Sequence, residues 1–549
     1  GGALINGLRL LLVHQYQGNT VAEGILERLL DEASKPFMSM LEKWLTSGTL
    51  DDPHREFMIQ YHEEAEWEGR YTLDHDNTLE HFFPTAMEAK RVLMAGKYWD
   101  AIHSCQGSTT VDTIPASPSS TMVLEYRANG AQVASSIQKL YKSSSQTLVR
   151  LLMDECDLVG TLRLMKRYFL LDQGDFFLNF LDAAEDELSR DPAKLRQFRV
   201  QHLLQVSVQI TENQREAPQD DGSGLRISTA DLTCRFAADS LVDQLTNGGG
   251  AKDSITPQRL MYTGQDPIRT GVDLFLLEFS EVPFPLSLVL SESSLSSYRL
   301  LFRHLFFAKH VERKLVMVWQ DHLATKEFAA VRGAMGPTYL LRQRMLHCVQ
   351  NLIYYMMFEV IEPNWMQMMT KMANETGART VDEFIDFHNA FLEQTLAACL
   401  LTDRDYVLAF TRVMQTCLLF SKQMETFIKK VRLHQDRHQV ALENRDRVQK
   451  SLLARGSGLM DDTSIGRINR EEQAEKQQRI KEQGRRLERE VSSPEFRRMI
   501  SHYETTFAKH LRAFMKIVTK SDDRYHTQKL NLCVRLDFNG FVTHSMGLR

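Results

Sequence analysis

Apolar side chains recur at helical spacing along almost the whole chain, and that rhythm leaves few folds open. In VQNLIYYMMFEV (349–360) the apolar positions Val349, Leu352, Ile353, Met356, Met357 and Val360 follow i, i+3, i+4, i+7, i+8 and i+11. That is one broad face of an α-helix. The stretch 298–319, YRLLFRHLFFAKHVERKLVMVW, sets Leu301, Leu305, Ala308, Leu315 and Trp319 on one side, widened by Phe302 and Phe306. A helix so apolar belongs at the centre of a bundle. Glu362-Pro363 is expected to end the 349–360 helix, because the residue before proline avoids the helical region.

Three stretches break the rhythm. Residues 107–121 (GSTTVDTIPASPSST) are small, polar and proline-bearing, a solvated loop. Residues 212–285 mix loop signals (EAPQDDGSG, TNGGG) with a strand-like run, GVDLFLLEFSEVPF, and form the best domain boundary. Residues 434–495 are charged and Gln-rich, reading as an exposed long helix or a disordered insert. No internal repeat of fixed period is evident.

At 549 residues the chain exceeds what one core usually holds, so two or more domains are expected. A formal charge of −5 gives no overall basic field, which argues against nucleic acid or anionic lipid as the main partner. The seven cysteines lie far apart with no CxxC, as in a reducing compartment with buried thiols. No signal peptide and no apolar run of 18 residues is present, so a soluble cytoplasmic or nuclear protein is expected. The chain opens on Gly1-Gly2 without a Met and reads as a piece of a longer one.

Motifs for chemistry fail one by one. MAGKYW (94–99) lacks a P-loop: Arg91 stands where a glycine is required and Tyr98 where Ser or Thr would bind Mg²⁺. Lys97 reads instead as a helix-end cation. YHEEAEW (61–67) places Glu66 where a second zinc histidine would stand. No GxSxG nucleophile elbow occurs. His304, His310, His347 and His388 lie on or beside apolar helical patterns, as bundle residues or surface contacts rather than catalytic bases.

The stretch KRYFLLDQGDFFLNF (166–180) offers a carboxylate pair, Asp172 and Asp175, around Gly174. No nearby metal ligand or nucleophile completes a site. It reads as a helix break, with Gly174 as the left-handed residue, Asp172 or Asp175 capping the next helix, and the aromatics in the core.

These same blocks resemble the gamma-tubulin complex proteins, the family that also holds the yeast spindle-pole-body components. The likeness runs in order through ASKPFMSMLEKWLTSGTLDDPHREFMI (33–59), VLMAGKYWDAIHSC (92–105) and LMKRYFLLDQGDFFLNFLDAAEDEL (164–188). It continues through 285–319, LRQRMLHCVQNLIYYMMFEVIEPNW (341–365), HNAFLEQTLAACLLT (388–402) and RLDFNGF (535–541). The resemblance implies an all-α fold, an elongated stack of helical bundles in two modules, with minor strand or irregular content in the connecting segment. It implies an amino-terminal module over 1–215, entered partway, that meets neighbouring subunits. An irregular segment over 216–281 and a carboxy-terminal module over 282–549 that holds gamma-tubulin would follow. It further implies a non-enzymatic scaffold with no cofactor and no metal. The scaffold pairs with sister subunits, especially the third component, and templates microtubules at a centrosome or spindle pole.

Residue type within the matching blocks suggests the contacts, since interfaces favour Arg and aromatics and charge steers approach. Arg303, Lys309, Arg313, Arg342 and Arg344 are candidates for an acidic gamma-tubulin, joined by Arg535, Asp537, Asn539 and Phe541 near the chain end. Trp44, Asp52 and Phe57 are candidates for the lateral contact. The competing reading is an all-helical tether without a tubulin site.

Overall fold

The helical rhythm is realised along most of the described residues. The computed structural model describes residues 2–14, 20–106, 130–190, 194–213, 227–237, 271–324, 335–373, 380–455, 493–520 and 526–537, apart from 64–66, 68, 76, 80–82, 84–85 and 228. Among them, strands occur only in two small antiparallel sheets of two strands each. The expected all-α class holds.

Helices α1 (Gly2–His14) and α2 (Thr20–Ser47) pack together, followed by a ribbon of β1 (Ile59–Tyr61) and β2 (Tyr71–Leu73) in which Ile59 faces Leu73. Helices α3 (Ala86–Gln106) and α4 (Gly130–Arg150) complete this first bundle. In α2, Phe37, Met38, Leu41, Trp44 and Leu45 repeat at helical spacing and all are buried. The Trp44 indole N–H donates to the Val92 carbonyl at 2.9 Å. Helix α3 makes room for that ring with Gly96, where a Cβ would lie 2.0 Å from Trp44 Cε2. Gly48, at φ +67°, closes α2 in the left-handed conformation and donates to the Trp44 carbonyl. Lys97 sits within α3, not at its end: it is buried, its ammonium 5.4 Å from the centre of the Trp67 ring.

A π turn (Leu151–Glu155) leads to α5 (Leu158–Phe169), capped by Asp157, whose carboxylate accepts from Gly160 N at 2.9 Å. Helix α6 (Gly174–Leu188) follows. The helix break is where the sequence places it, but its mechanics differ. Leu171, at φ +55°, is the left-handed residue, and Gly174 opens α6. Neither aspartate caps: Gln173 occupies the cap without a side-chain bond, and Asp172 faces Lys166 at 3.8 Å. What holds Leu171 in an uncommon conformation is burial, since Leu170, Leu171, Phe176 and Phe177 all enter the core. Tyr168 meets Phe176 edge-on at 5.0 Å, and Phe177 meets Phe306 at 5.1 Å, so the aromatics are core as expected.

Helix α7 (Gln197–Asn213) lies against a second ribbon, β3 (Leu232–Phe236) with β4 (Phe275–Phe279). The strand-like run is β4; its partner β3 gives no comparable signal in sequence. Gln201 stitches helix to ribbon, donating to the Leu232 carbonyl and accepting from Cys234 N. Helix α8 (Glu292–Ala324) is the hub, packed on α5, β4, and the later helices α9 (Gly336–Tyr354), α11 (Val381–Ala398) and α12 (Arg404–Arg455). Helix α9 does not stop before Pro363. It passes through a π turn (Tyr355–Ile361) straight into α10 (Glu362–Ala373). Pro363 stands in the first turn of α10, where its missing N–H costs little, and Glu362 keeps helical angles. Helix α12 runs unbroken to Arg455, so the charged stretch from 434 begins as helix; 456–492 lie outside the described residues, as does 107–121. Helix α13 (Pro494–Lys520) returns along α12, with Phe427 against Phe496, Phe420 against Tyr503 and Tyr406 against Phe514. Helix α14 (His526–Leu536) then packs on α9 and α13.

The first bundle grips the second through one carboxylate. Asp382, at the start of α11, accepts from the hydroxyls of Tyr98 (2.7 Å) on α3 and Tyr141 on α4. Ser145 on α4 accepts from Val381 N at 2.7 Å. Thr380 and Glu383 form a capping box that fixes the helix end in this slot.

Candidate interaction surfaces

Most of the cations proposed from sequence are already engaged within the chain. Arg303 is buried and donates to the Asp273 carbonyl at 2.7 Å, tying α8 to the turn before β4. Arg342 is buried between α8 and α9, donating to the Leu315 carbonyl and to Gln343, with its guanidinium 4.8 Å from the Trp319 ring centre. Burial lowers its pKa from the usual arginine value. Arg313 makes a two-pronged bond to Asp182 at 2.8 and 2.6 Å, and Lys314 beside it pairs with Glu185, clamping α6 to α8. Lys309 bonds Glu312, one turn along the same helix, at 3.1 Å. Arg344 reaches Glu504 on α13 at 2.9 Å and stays exposed. These bonds make the arginines architecture first, since in sequence a cation on a helix carries no mark of its partner.

Arg535 is different. It stacks on Tyr354 at 4.9 Å, pairs with Glu359, and borders an open apolar face. On that face Tyr354 and Phe358 stack with centroids 5.2 Å apart, 46% and 60% exposed. Leu530 and Val534, one turn apart on α14, are 40% and 64% exposed. Water contact of this extent on two neighbouring rings marks a surface that gains by being covered, and Leu530 and Val534 are a second exposed apolar pair, on the adjoining helix. The sequence carried a signal for it: Tyr354 and Phe358 fall off the apolar stripe of 349–360, at positions where a solvent-facing helix has polar residues. Asp537 closes α14, half-buried, while Asn539 and Phe541 lie outside the described residues.

The lateral candidates are interior. Trp44 and Phe57 are fully buried, Phe57 against Phe37 at 5.1 Å, and offer no side chain to a neighbour. Asp52 is half-exposed and accepts from the backbone N–H of Glu56 and Phe57, holding the loop after α2. The open apolar face of this bundle lies elsewhere, on Val21, Ile25 and Leu29 at i, i+4, i+8 of α2, with Leu4 and Leu11 on α1. In sequence these residues pass for one more core stripe, since α2 carries two.

Groups suited to catalysis are placed for packing. His304, His310 and His388 are buried, and burial pushes the Cys348 and Cys399 thiols up to about 12. His347 is exposed on α9, and His62 contacts Thr72 at 2.9 Å. Among the described residues, no group of three or more His, Cys, Asp or Glu could hold a metal ion, and no helix is long and apolar enough to cross a membrane.

Two family models cover the chain. Residues 158–541 match the model described as gamma tubulin complex component C-terminal, and residues 1–155 match its N-terminal counterpart. The models meet near 156, ahead of the composition break at 212–285 and of the module boundary at 215 that the resemblance implied. The packing fits the earlier division, because α6 is bonded to α8 through Asp182 and Glu185 and α7 to β3 through Gln201. Gamma-tubulin complex component 2 of Mus musculus is 30% identical across 99% of this chain and 58% of its own length. A spindle pole body component of Schizosaccharomyces pombe is 29% identical across 83% of this chain and 63% of its own. Gamma-tubulin complex component 3 of Homo sapiens is 25% identical across 71% of this chain and 40% of its own. The chain thus spans about three-fifths of the mouse relative's length. Both halves match, in order, the two parts of one family's architecture: the chain belongs to the gamma-tubulin complex component family.

Proposed function

We propose that this chain is a scaffold subunit that binds one gamma-tubulin and stands beside a sister subunit, so that an array of such pairs templates microtubule nucleation. The chain itself catalyses nothing in this reading, and any nucleotide sits on the tubulin. One observation carries it: within the part matched by the carboxy-terminal family model, Tyr354 and Phe358 form an open aromatic pair rimmed by the Arg535–Glu359 pair, and Leu530 and Val534 are exposed on the adjoining α14. An apolar centre with a charged rim is the usual anatomy of a protein interface. The α1–α2 face of Val21, Ile25 and Leu29 is the lateral surface, meeting a sister such as component 3. The physical gain is pre-arranged orientation. Nucleating a polymer requires several subunits to meet at once, and a rigid array turns that meeting into addition on an existing edge. The place of action is a microtubule organising centre, in keeping with the name of the fission-yeast relative.

The test is co-elution of the full chain with purified gamma-tubulin on a sizing column. A one-to-one complex is expected, and the double variant Phe358→Asp, Val534→Asp is expected to weaken it at least about a hundredfold, since truncating a central interface residue costs about 2 kcal/mol or more. A double variant that co-elutes like the parent chain would refute the site.

A further inference from the structure

Helix α13 presents to water a stripe of basic residues. Arg498, His502, Lys509, Arg512 and Lys516 are exposed and recur at i, i+4, i+11, i+14 and i+18. At 3.6 residues per turn they fall within about 80° of arc, on a line about 27 Å long. The residues between them on this face, Ser501, Thr505, Ala513 and Thr519, are small and uncharged. The opposite face, Phe496, Ile500, Phe507, Leu511, Phe514 and Val518, is buried on the bundle. Only Glu504 and Glu495 are acidic on this helix. Glu504 points round the flank to Arg344 at 2.9 Å, and Glu495, exposed in the first turn, stands at the amino-terminal end of the same face, one turn before Arg498. From the adjoining α12, Arg412 and Lys422 are exposed and add the same sign. None of the five stripe residues forms an ion pair with any described residue.

A surface helix of ordinary use intersperses both signs, which relieves repulsion between neighbours. Four like-signed groups in line, Arg498, Lys509, Arg512 and Lys516, cost stability, and the more so here because the chain as a whole is acidic, at −5, with acidic residues available elsewhere. We propose that the α13 stripe is a docking track for an extended acidic segment of a partner polypeptide. The chemistry favours a peptide over other polyanions. A strand places side chains of one face about 6.6 Å apart, close to the 6 Å rise between i and i+4 on the helix, so about eight extended residues cover the track. A base-reading surface would carry exposed aromatic platforms, and a membrane-lying helix would carry exposed large apolar groups. No large apolar residue of α13 is among those exposed. The track is separate from the α9–α14 face, and its test needs no tubulin.

The test is fluorescence anisotropy with the full chain and a labelled peptide of about a dozen alternating Glu and Gly residues, long enough to span the track. Binding is expected at low salt and should weaken at least about tenfold between about 50 and 300 mM NaCl. The variant Arg498→Glu, Lys509→Glu, Arg512→Glu should abolish it. A control with equal charge change on another exposed helix, Lys139→Glu, Lys142→Glu, Arg150→Glu, should bind as the parent does. The proposal is overturned by no peptide binding at low salt or by equal losses in both triple variants. It is equally overturned if single-stranded RNA or phosphatidylserine vesicles bind while the peptide does not.

Discussion

Lowering the pH from 7.5 to 5 is expected to cost the fold about 6 kcal/mol, through three histidines that the bundle keeps neutral. His304 is buried in the hub helix over Phe410 at 4.2 Å, and neither ring nitrogen has a hydrogen-bond partner among the described residues. Burial lowers its pKa to about 3. His310 is held near 3 by burial and the neighbouring Lys314, and His388, against the Tyr298 hydroxyl at 3.0 Å, near 4 by burial. In the unfolded chain each takes up a proton near pH 6.5. The folded pKa values lie below the unfolded one, so the stabilisation is complete above about pH 6.5 and is lost as pH falls toward the folded values. At pH 5 each site accounts for about 2 kcal/mol. Urea unfolding of the full chain at the two pH values checks this, and His304→Phe should remove about a third of the difference. A midpoint that stays level between pH 7.5 and 5 would contradict it.

The second large effect is at the junction of the bundles. Asp382→Ala leaves the buried hydroxyl of Tyr98 and the hydroxyl of Tyr141 without their shared acceptor. Removing one acceptor that satisfies two such donors is expected to cost about 3–5 kcal/mol. Asp382→Asn keeps one oxygen and should cost about half. Asp386→Ala, one turn along on the exposed side of α11, should change stability by about 0.5 kcal/mol or less. The readout is the urea midpoint, together with protease cleavage between α10 and α11. If Asp382→Ala unfolds with the parent, the carboxylate does not join the bundles.

What the sequence made legible follows from what periodicity encodes. The spacing of Val349 to Val360 and of Leu301 to Leu315 names both a helix and its buried side, and both are so, while Trp319 at the end of the second stripe is exposed. Proline gave a false stop at Pro363 because a π turn upstream lets the chain continue as helix, and that adjustment leaves no mark in composition. The left-handed residue of the 166–180 break went to glycine by rule and to Leu171 in fact, because packing of Leu170 and Leu171 outweighs a local preference. Site residues were harder. Arg303, Arg313 and Arg342 have partners at Asp273, Asp182 and Leu315, and long-range pairing cannot be read from one chain. Trp44 has the residue type of an interface anchor and the surroundings of a core. Exposed aromatics off the apolar stripe, as at Tyr354 and Phe358, are legible in sequence as side chains the core does not hold.

Hydrogen–deuterium exchange of the full chain with and without gamma-tubulin tests the central claim most directly. Slowed exchange confined to 354–361 and 530–536 is the result expected if the α9–α14 face is the tubulin seat. Protection elsewhere with those two segments unchanged would place the seat on another surface, and no protection at all would contradict the scaffold reading itself.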